Sequence, residues 1–481
     1  MSELSQSNVI RVTVQGVQRT IGVKNINELA LFTPEPSNSI ETYNICYDAA
    51  SVGELYGTDS LTYRMAVNVF AQDANPLSGR GYLVVIPMSA TNATPSVATS
   101  STITVANWKT VTNGALVCTA DSVAETVSGL DFSNVTSLAD IVTILNGALN
   151  NVFVASAGNS LTFTSKKLGA LSTVVLSSPL SGTDLTGNDY LGTMTTVTGT
   201  DATGETLVQA LARKTARYTG IITALQMEDS AVSAAASVVQ SKDLIWVNAW
   251  YSAGDITGIC TTIKNASQSH TRCLVYTQGF EEAKLFEAAY AGRAFSVNFE
   301  GSAVSQTMNL KTLANVEPDL GISQNDYNNA ETAGVDLYVS YEGFPAVVSN
   351  GANTYFDVVY ENMAFKFYAQ NYMLNALKTT NTKLPQTETG VAVLTDALAQ
   401  AFILFVRNGV FAAGKWNSSQ TFGDPETFRD NIANQGWYIY HTPIALQAQS
   451  EREQRIAPLI QGAGKRAGAI HEADVLIIVE E

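Results

Sequence analysis

Apolar residues alternate with polar ones near the beginning of the chain and form an unbroken run at its end. Within residues 9–14, Ile10, Val12 and Val14 occupy every second position, which predicts a strand with one apolar face. The chain closes with consecutive apolar residues between acidic neighbours, which predicts a second, buried strand. The two predicted terminal strands consist of Val9, Ile10, Arg11, Val12, Thr13 and Val14, and of Val475, Leu476, Ile477, Ile478 and Val479.

The middle of the chain changes in character near residue 89. Before this point, residues 82–86 are apolar and end at Pro87, which predicts a buried strand. From there to about residue 203 the chain is rich in Ser, Thr, Ala, Val and Gly, with strand-like runs at 102–105, 161–164 and 173–176. Ser137 and Asp140 form the start of a helix in the pattern of a capping box. This pattern predicts a small β-rich domain inserted into a larger one.

From residue 204 onward, apolar strands alternate with helical patterns. A strand at 244–247, a helix at 255–269 and a strand at 273–276 form a βαβ unit, and a further strand follows at 335–339. Two long apolar helices are predicted at 356–377 and 395–408. The fold class is therefore α/β (α+β) and multi-domain. The predicted parts are an N-terminal arm (1–20), the first part of the body (21–89), the insert (90–203), an α/β middle domain (204–355), a C-terminal domain (356–460), and a hinge with a C-terminal arm (461–481).

Composition indicates a surface that is partly covered by partners. Of the 481 residues, 46% are hydrophobic and only 15% are charged, while the net charge is −16. An acidic surface repels phosphate groups, so nucleic-acid or membrane-surface binding is not expected. The four cysteines form no CxxC pair and are interpreted as buried free thiols in a reducing cytoplasm. The N-terminus lacks the apolar core of a signal peptide, and the longest apolar stretch, near 401–406, is too short to span a bilayer.

No residue pattern predicts a catalytic, cofactor-binding or metal site. The three histidines, His270, His441 and His471, are scattered and fit no metal-binding spacing. The segment Gly462-Ala463-Gly464-Lys465-Arg466 only superficially resembles a phosphate loop, because Leu459 and Arg466 stand where a Walker A motif needs Gly and Ser or Thr. The chain is therefore not expected to be an enzyme or to require a cofactor.

Several segments in the last third of the chain carry a family resemblance. These are 311–319, 351–357, 383–390, the R-x-x-R-x-A-P segment at 452–458, and the closing A-G-A-I-H segment followed by the terminal strand. In this order they resemble the sheath subunits of contractile bacteriophage tails, in the branch with a long and divergent middle. The resemblance covers about 204–481 and the N-terminal strand, while Ala314 departs from the glycine that the family often has.

The resemblance implies a function in assembly. In such sheaths both terminal strands are arms that pair with a small sheet of neighbouring subunits, and Gly462, Gly464 and Gly468 would form a hinge before the C-terminal arm. The chain would form a homo-oligomer of rings stacked helically around a tail tube protein, with baseplate and tail terminator proteins as further partners. Contraction would drive the tube through the host envelope. The protein would belong to the virion and be assembled in the bacterial cytoplasm, with the insert facing outward.

Three alternatives remain open from the sequence. Both terminal strands could complete the chain's own sheet. The chain could also be another virion protein, of the baseplate, capsid or tube, although a tube subunit is normally shorter and all-β. A glycan-binding protein is a third alternative, but the aromatic residues of the insert have the spacing of core residues, namely Trp108, Phe132, Phe153, Phe163 and Tyr190.

Overall fold

The computed structural model describes residues 26–39, 41–91, 94–200, 203–213 and 217–472. The chain divides into two compact units. Among the described residues, the larger unit contains those within 27–297 and 307–359, and the smaller unit contains Ile26, 298–306 and 360–472. The predicted terminal strands, 9–14 and 475–479, lie outside the described residues.

The described strands and helices follow one another along the whole chain. The strands are β1 (Leu29–Thr33), β2 (Asn44–Cys46), β3 (Leu83–Pro87), β4 (Ala90–Thr91), β5 (Val97–Thr99), β6 (Gly114–Ala120), β7 (Val123–Leu130), β8 (Val152–Ala157), β9 (Ser160–Ser165), β10 (Val174–Ser177), β11 (Thr183–Asp184), β12 (Thr195–Val197), β13 (Thr203–Gly204), β14 (Gly220–Thr223), β15 (Ile245–Trp250), β16 (Thr271–Val275), β17 (Leu337–Tyr341), β18 (Phe344–Val348), β19 (Trp437–His441) and β20 (Ile460–Gly464). The helices are α1 (Ala49–Tyr56), α2 (Leu61–Phe70), α3 (Val105–Trp108), α4 (Leu138–Ala148), α5 (Leu207–Ala212), α6 (Asp229–Ser241), α7 (Thr261–Asn265), α8 (Phe280–Ala294), α9 (Gln324–Ala333), α10 (Phe356–Thr379), α11 (Glu388–Arg407), α12 (Pro425–Gln435) and α13 (Gln449–Glu453). The predicted mixed α/β fold is confirmed.

A six-stranded sheet organises the larger unit, in the order β16–β15–β14–β1–β3–β2. The first five strands of this order run parallel, and β2 pairs with β3 in the antiparallel direction at one edge. All residues of β1 and β15 are buried, as expected where helices cover both faces of a parallel sheet. The predicted helix at 255–269 is interrupted, because a π-helical turn (Ile256–Cys260) with non-helical backbone at Gly258 precedes α7.

A buried ion pair joins the end of this sheet to the segment before α10. Arg272 of β16 donates from Nε to Asp336 Oδ2 over 2.8 Å, and its Nη2 also reaches Oδ1 of the same carboxylate. Asp336 further accepts from the hydroxyl of Tyr290 over 2.6 Å and from the backbone N–H of Asn350 over 2.7 Å. The guanidinium also donates from Nη1 to the carbonyl of Thr354 and from Nη2 to that of Asn350. The two charges are therefore paired with each other and held by further hydrogen bonds in a buried position.

The insert has its own hydrophobic core. Two four-stranded, mostly antiparallel sheets enclose this core together with α4. One sheet has the order β12–β5–β9–β8, and in the other β6 pairs with β7, β10 and β11. The capping box predicted for α4 is confirmed: Ser137 accepts from the backbone N–H of Asp140, and Asp140 accepts in return from that of Ser137. The strand predicted at 102–105 is wrong, since α3 begins at Val105.

The aromatic residues of the insert are mostly core residues. Trp108, Phe132 and Phe163 are fully buried, and Trp108 makes edge contacts with Phe132 and Tyr190 at centroid distances of 4.9 and 5.8 Å. Phe153 is half-buried. Because a glycan-binding site exposes its aromatic rings, this packing favours the core interpretation over the glycan-binding alternative.

The first and last strands of the insert lie side by side. β4 pairs with β13 in antiparallel register, Ala90 opposite Gly204 and Thr91 opposite Thr203. The predicted limits of the insert, residues 90 and 203, fall on these two strands. The insert thus departs from the rest of the larger unit and rejoins it through two adjacent strands.

Helix α11 belongs to the core of the smaller unit. Among the described residues it is the one helix long and apolar enough to cross a membrane, but half of its apolar window is buried within the protein. Its Phe402 and Phe405 pack with Phe365 of α10 at centroid distances of 4.7 and 5.2 Å. The helix starts seven residues before its predicted position, with Thr387 as the capping residue. All four cysteines of the chain are buried and free.

Candidate subunit interface

Strands β19 and β20 form a separate two-stranded antiparallel sheet in the smaller unit. Trp437 lies opposite Gly464, and Ile439 lies opposite Gly462. These residues share the face that packs on α11, where the indole of Trp437 stacks on Phe402 at 5.4 Å. The missing side chains of the two glycines leave room for the rings of Phe402 and Phe411.

The opposite face of this sheet is also covered. Tyr438 stacks on Phe422 with centroids 5.6 Å apart and meets Phe428 of α12 at 5.3 Å. Gly423 lies close against the rings of Tyr438 and Tyr440. The sheet is therefore enclosed between α11 on one face and α12 with its preceding loop on the other.

The edges of the sheet, in contrast, are not covered by another strand within the described ranges. At the two ends of the sheet, the backbone N–H of Lys465 donates to the carbonyl of Gly436, and that of Thr442 donates to the carbonyl of Leu459. In an antiparallel pair, the residues of each strand point their N–H and C=O groups alternately toward and away from the partner strand. The backbone groups of Gly462 and Gly464 therefore point away from β19, and those of Ile439 point away from β20. A two-stranded sheet is marginally stable alone, and open edges are templates for an added strand. The sheet is thus our candidate interface.

The structure places two of the three predicted hinge residues inside this sheet. Gly462 and Gly464 lie in β20, and a Cβ there would come within 3.0 Å of Phe402 or Phe411. Close packing of aromatic rings therefore gives a local reason for glycine at both positions. Gly468 lies beyond the strand with φ of +74°, a left-handed conformation that favours glycine. The hinge function of the three residues stays a prediction.

Substitution of Gly464 by valine tests this packing. We expect Gly464→Val to destabilise the smaller unit by about 1–3 kcal/mol, because the added side chain overpacks the ring layer. Differential scanning calorimetry of thermal unfolding measures the effect. Ala469→Val, at an exposed position nearby, serves as the control and should change little. Equal stability of the two variants would contradict the packing argument.

The chain is held firmly just after β20 and then becomes exposed. Ala412 donates to Lys465 O and Ala467 donates to Val410 O, both over 2.9 Å, on either side of an isolated bridge between Phe411 and Arg466. Residues 467–470 are exposed, and Ile470 has 90% of its surface accessible. The chain is therefore exposed from Ala467 to Ile470.

Sequence reasoning missed strand β19. Its residues, Trp-Tyr-Ile-Tyr-His, are aromatic and β-branched and follow a glycine, which is a recognisable strand signal. Gly436 ends α12 with φ of +84°. Glycine is the usual residue at such a helix end, so the boundary between α12 and β19 is also recognisable in the sequence.

Comparison with known families identifies the part of the chain that contains this sheet. Residues 356–479 match the family model described as "E217 tail sheath protein gp31-like, C-terminal domain". This stretch is therefore similar to the C-terminal domain of a tail sheath protein. The resemblance read from the sequence is confirmed for this part of the chain, and the matched stretch contains α10, α11, α12 and the open-edged sheet.

Solved structures and curated proteins give two further findings. A chain of the contracted anti-feeding prophage (AFP) baseplate aligns with a TM-score of 0.49 and 8% identity, over 99% of this chain and 99% of that chain. A chain of the contracted sheath complex of PVC, an extracellular contractile injection system, aligns with a TM-score of 0.38 and 8% identity, over 55% of this chain and 72% of that chain. No curated protein matches the sequence.

Proposed function

We propose that this chain is the repeating subunit of a contractile tail sheath. The observation that carries the proposal is the match of residues 356–479 to a tail sheath family model. The subunits form a homo-oligomer of rings, which stack helically around a tail tube and shorten to drive the tube through a host envelope. Its work is structural and comes from conformational free energy, so the chain needs no catalytic site.

The open-edged sheet supports a specific way of joining the subunits. Each sheet receives terminal strands from neighbouring copies, which pair with the edges of β19 and β20 by β-augmentation. Residues 475–479 are all apolar, so a strand formed by them would have two apolar faces. The two-stranded sheet packs on α11 with one face and on α12 with the other. An added strand would continue between these two layers and bury both of its faces, which suits an unbroken apolar run.

The further partners follow from the same proposal. The smaller unit faces the tail tube, and the insert faces outward, where its composition can vary without disturbing the joints. Baseplate and tail terminator proteins bind the two ends of the assembly. The protein is assembled in the bacterial cytoplasm and functions in the virion.

Electron microscopy of the concentrated, purified protein tests the proposal. We expect helically striated tubes, because homotypic strand exchange needs no other component. Tube diameter and striation also separate a sheath from the alternative of a narrower tail tube. Protein that stays monomeric at high concentration, with and without added tail tubes, would contradict the proposed function.

A further inference from the structure

The buried carboxylate of Glu361 joins three segments of the smaller unit. Glu361 lies near the start of this unit's part of α10, and only 5% of its surface is accessible. Arg466 donates from Nη1 to Glu361 Oε2 over 2.6 Å, and the hydroxyl of Ser305 donates to Oε1. Arg466 also donates from Nη2 to Asn362 Oδ1 over 2.7 Å. One side chain thus connects α10, the segment before residue 306, and the segment after β20.

The segment that carries Ser305 is fastened to the end of α11. Ala303 donates its backbone N–H to Arg407 O, and Val304 and Ser305 both donate to Asn408 O, each over 3.0 Å. Asn408 is fully buried. The hydroxyl of Ser305 therefore reaches Glu361 from a fixed backbone.

The segment that carries Arg466 is the root of the C-terminal arm. Two backbone hydrogen bonds hold it on both sides of Arg466, and the exposed stretch begins at Ala467. Arg466 is the last charged residue before that stretch, and its guanidinium makes charge-assisted hydrogen bonds, which are among the stronger polar contacts. Displacing the root without breaking this contact would require α10 to follow.

Ser305 and Glu361 lie close to points where the chain passes between the two units. Ser305 is one residue before the chain leaves the smaller unit after Gln306, and Glu361 is one residue after the chain returns at Tyr360. The carboxylate therefore ties the root of the arm to two of the four points at which the chain passes between the units, 306/307 and 359/360. Because a buried charge that loses its partner is strongly unfavourable, the three segments are held together as one.

We propose that Glu361, Ser305 and Arg466 form a coupling node that transmits displacement of the C-terminal arm to the connections of the larger unit. The inference rests on the proposed function, since it assigns a path for shape change through an assembled sheath. In an assembled lattice, neighbouring subunits hold the C-terminal arm of each subunit. Rotation of a subunit therefore changes the direction of the force that its arm exerts on Arg466. The node passes this change to the two crossings beside Ser305 and Glu361.

Hydrogen exchange and cryo-EM of assembled tubes test the node with Glu361→Gln, which keeps the size of the side chain and removes its charge. We expect amides of residues 460–467 to exchange about tenfold faster, as befits a lost charge-assisted hydrogen bond, while α6 in the larger unit is unchanged. Tubes should still form, because the strand edges do not use Glu361. Their density should stay sharp for the smaller unit and become smeared for the larger one.

Two further variants keep the test decisive. Ser305→Ala leaves both charges paired and should give a smaller change of the same kind, which replaces Glu361→Gln if that variant does not fold. Lys378→Gln removes an exposed charge from the same helix and serves as the control. Tubes of Glu361→Gln or Ser305→Ala with equally sharp density for both units and normal exchange would overturn the node. Wild-type protein without tubes would instead contradict the proposed function.

Discussion

Removal of residues 473–481 is expected to abolish long tubes while the rest of the subunit stays folded. The cores of both units are built from many buried side chains within residues 26–472, so we expect them to fold without the deleted segment. The deletion removes an apolar strand that we propose to bury in a neighbouring sheet. Burying one aliphatic side chain stabilises by about 1.5–3 kcal/mol, and the segment has five of them. Repetition of this loss at every joint should prevent a continuous lattice.

Circular dichroism and thermal unfolding measure whether the truncated subunit is folded, and negative-stain microscopy measures whether it forms tubes. The matched control is Glu480→Gln with Glu481→Gln, which changes charge at the same terminus and keeps the apolar run intact. This control should form tubes. If the truncated protein forms tubes of normal length and abundance, the C-terminal segment is not the joint between subunits.

Asp336→Ala should strongly destabilise the larger unit. It would leave the guanidinium of Arg272 buried without its carboxylate, and it would remove the acceptor of the Tyr290 hydroxyl. Breaking one partner of a buried ion pair costs about 3–5 kcal/mol. Urea unfolding followed by near-ultraviolet circular dichroism measures this loss.

Two comparisons show whether the charge causes the effect. Arg64→Ala breaks an exposed ion pair with Glu281 and should cost less than about 1 kcal/mol. The double variant Arg272→Leu with Asp336→Leu removes both charges and should recover part of the stability. A single variant no less stable than Arg64→Ala would show that the buried pair is dispensable.

Local patterns predicted the elements that local chemistry determines. The apolar run of β3, the capping box of α4 and the long apolar helix α10 were readable from consecutive residues. The strand predicted at 102–105 was wrong although its residues, Thr-Ile-Thr-Val, favour strands, because only Ile103 is buried there and the chain turns into α3. The break before α7 depends on the backbone of Gly258, which no periodicity reveals.

Contacts between distant segments could not be predicted. Arg272 and Asp336 are 64 residues apart, and Glu361 and Arg466 are 105 apart, so a single sequence gives no reason to pair them. The glycines at 462 and 464 were noticed as a flexible motif. Their packing against Phe402 and Phe411 depends on the placement of α11, which sequence alone does not give.

The pairing of β4 with β13 has a practical consequence for engineering. Paired strands lie about 4.8 Å apart, so the insert is attached to the rest of the larger unit through two closely spaced points. A foreign domain whose own termini are neighbours could be grafted between these strands in place of residues 92–202. Every copy in an assembly would then carry the graft, which would make the particle a dense scaffold for antigens or enzymes.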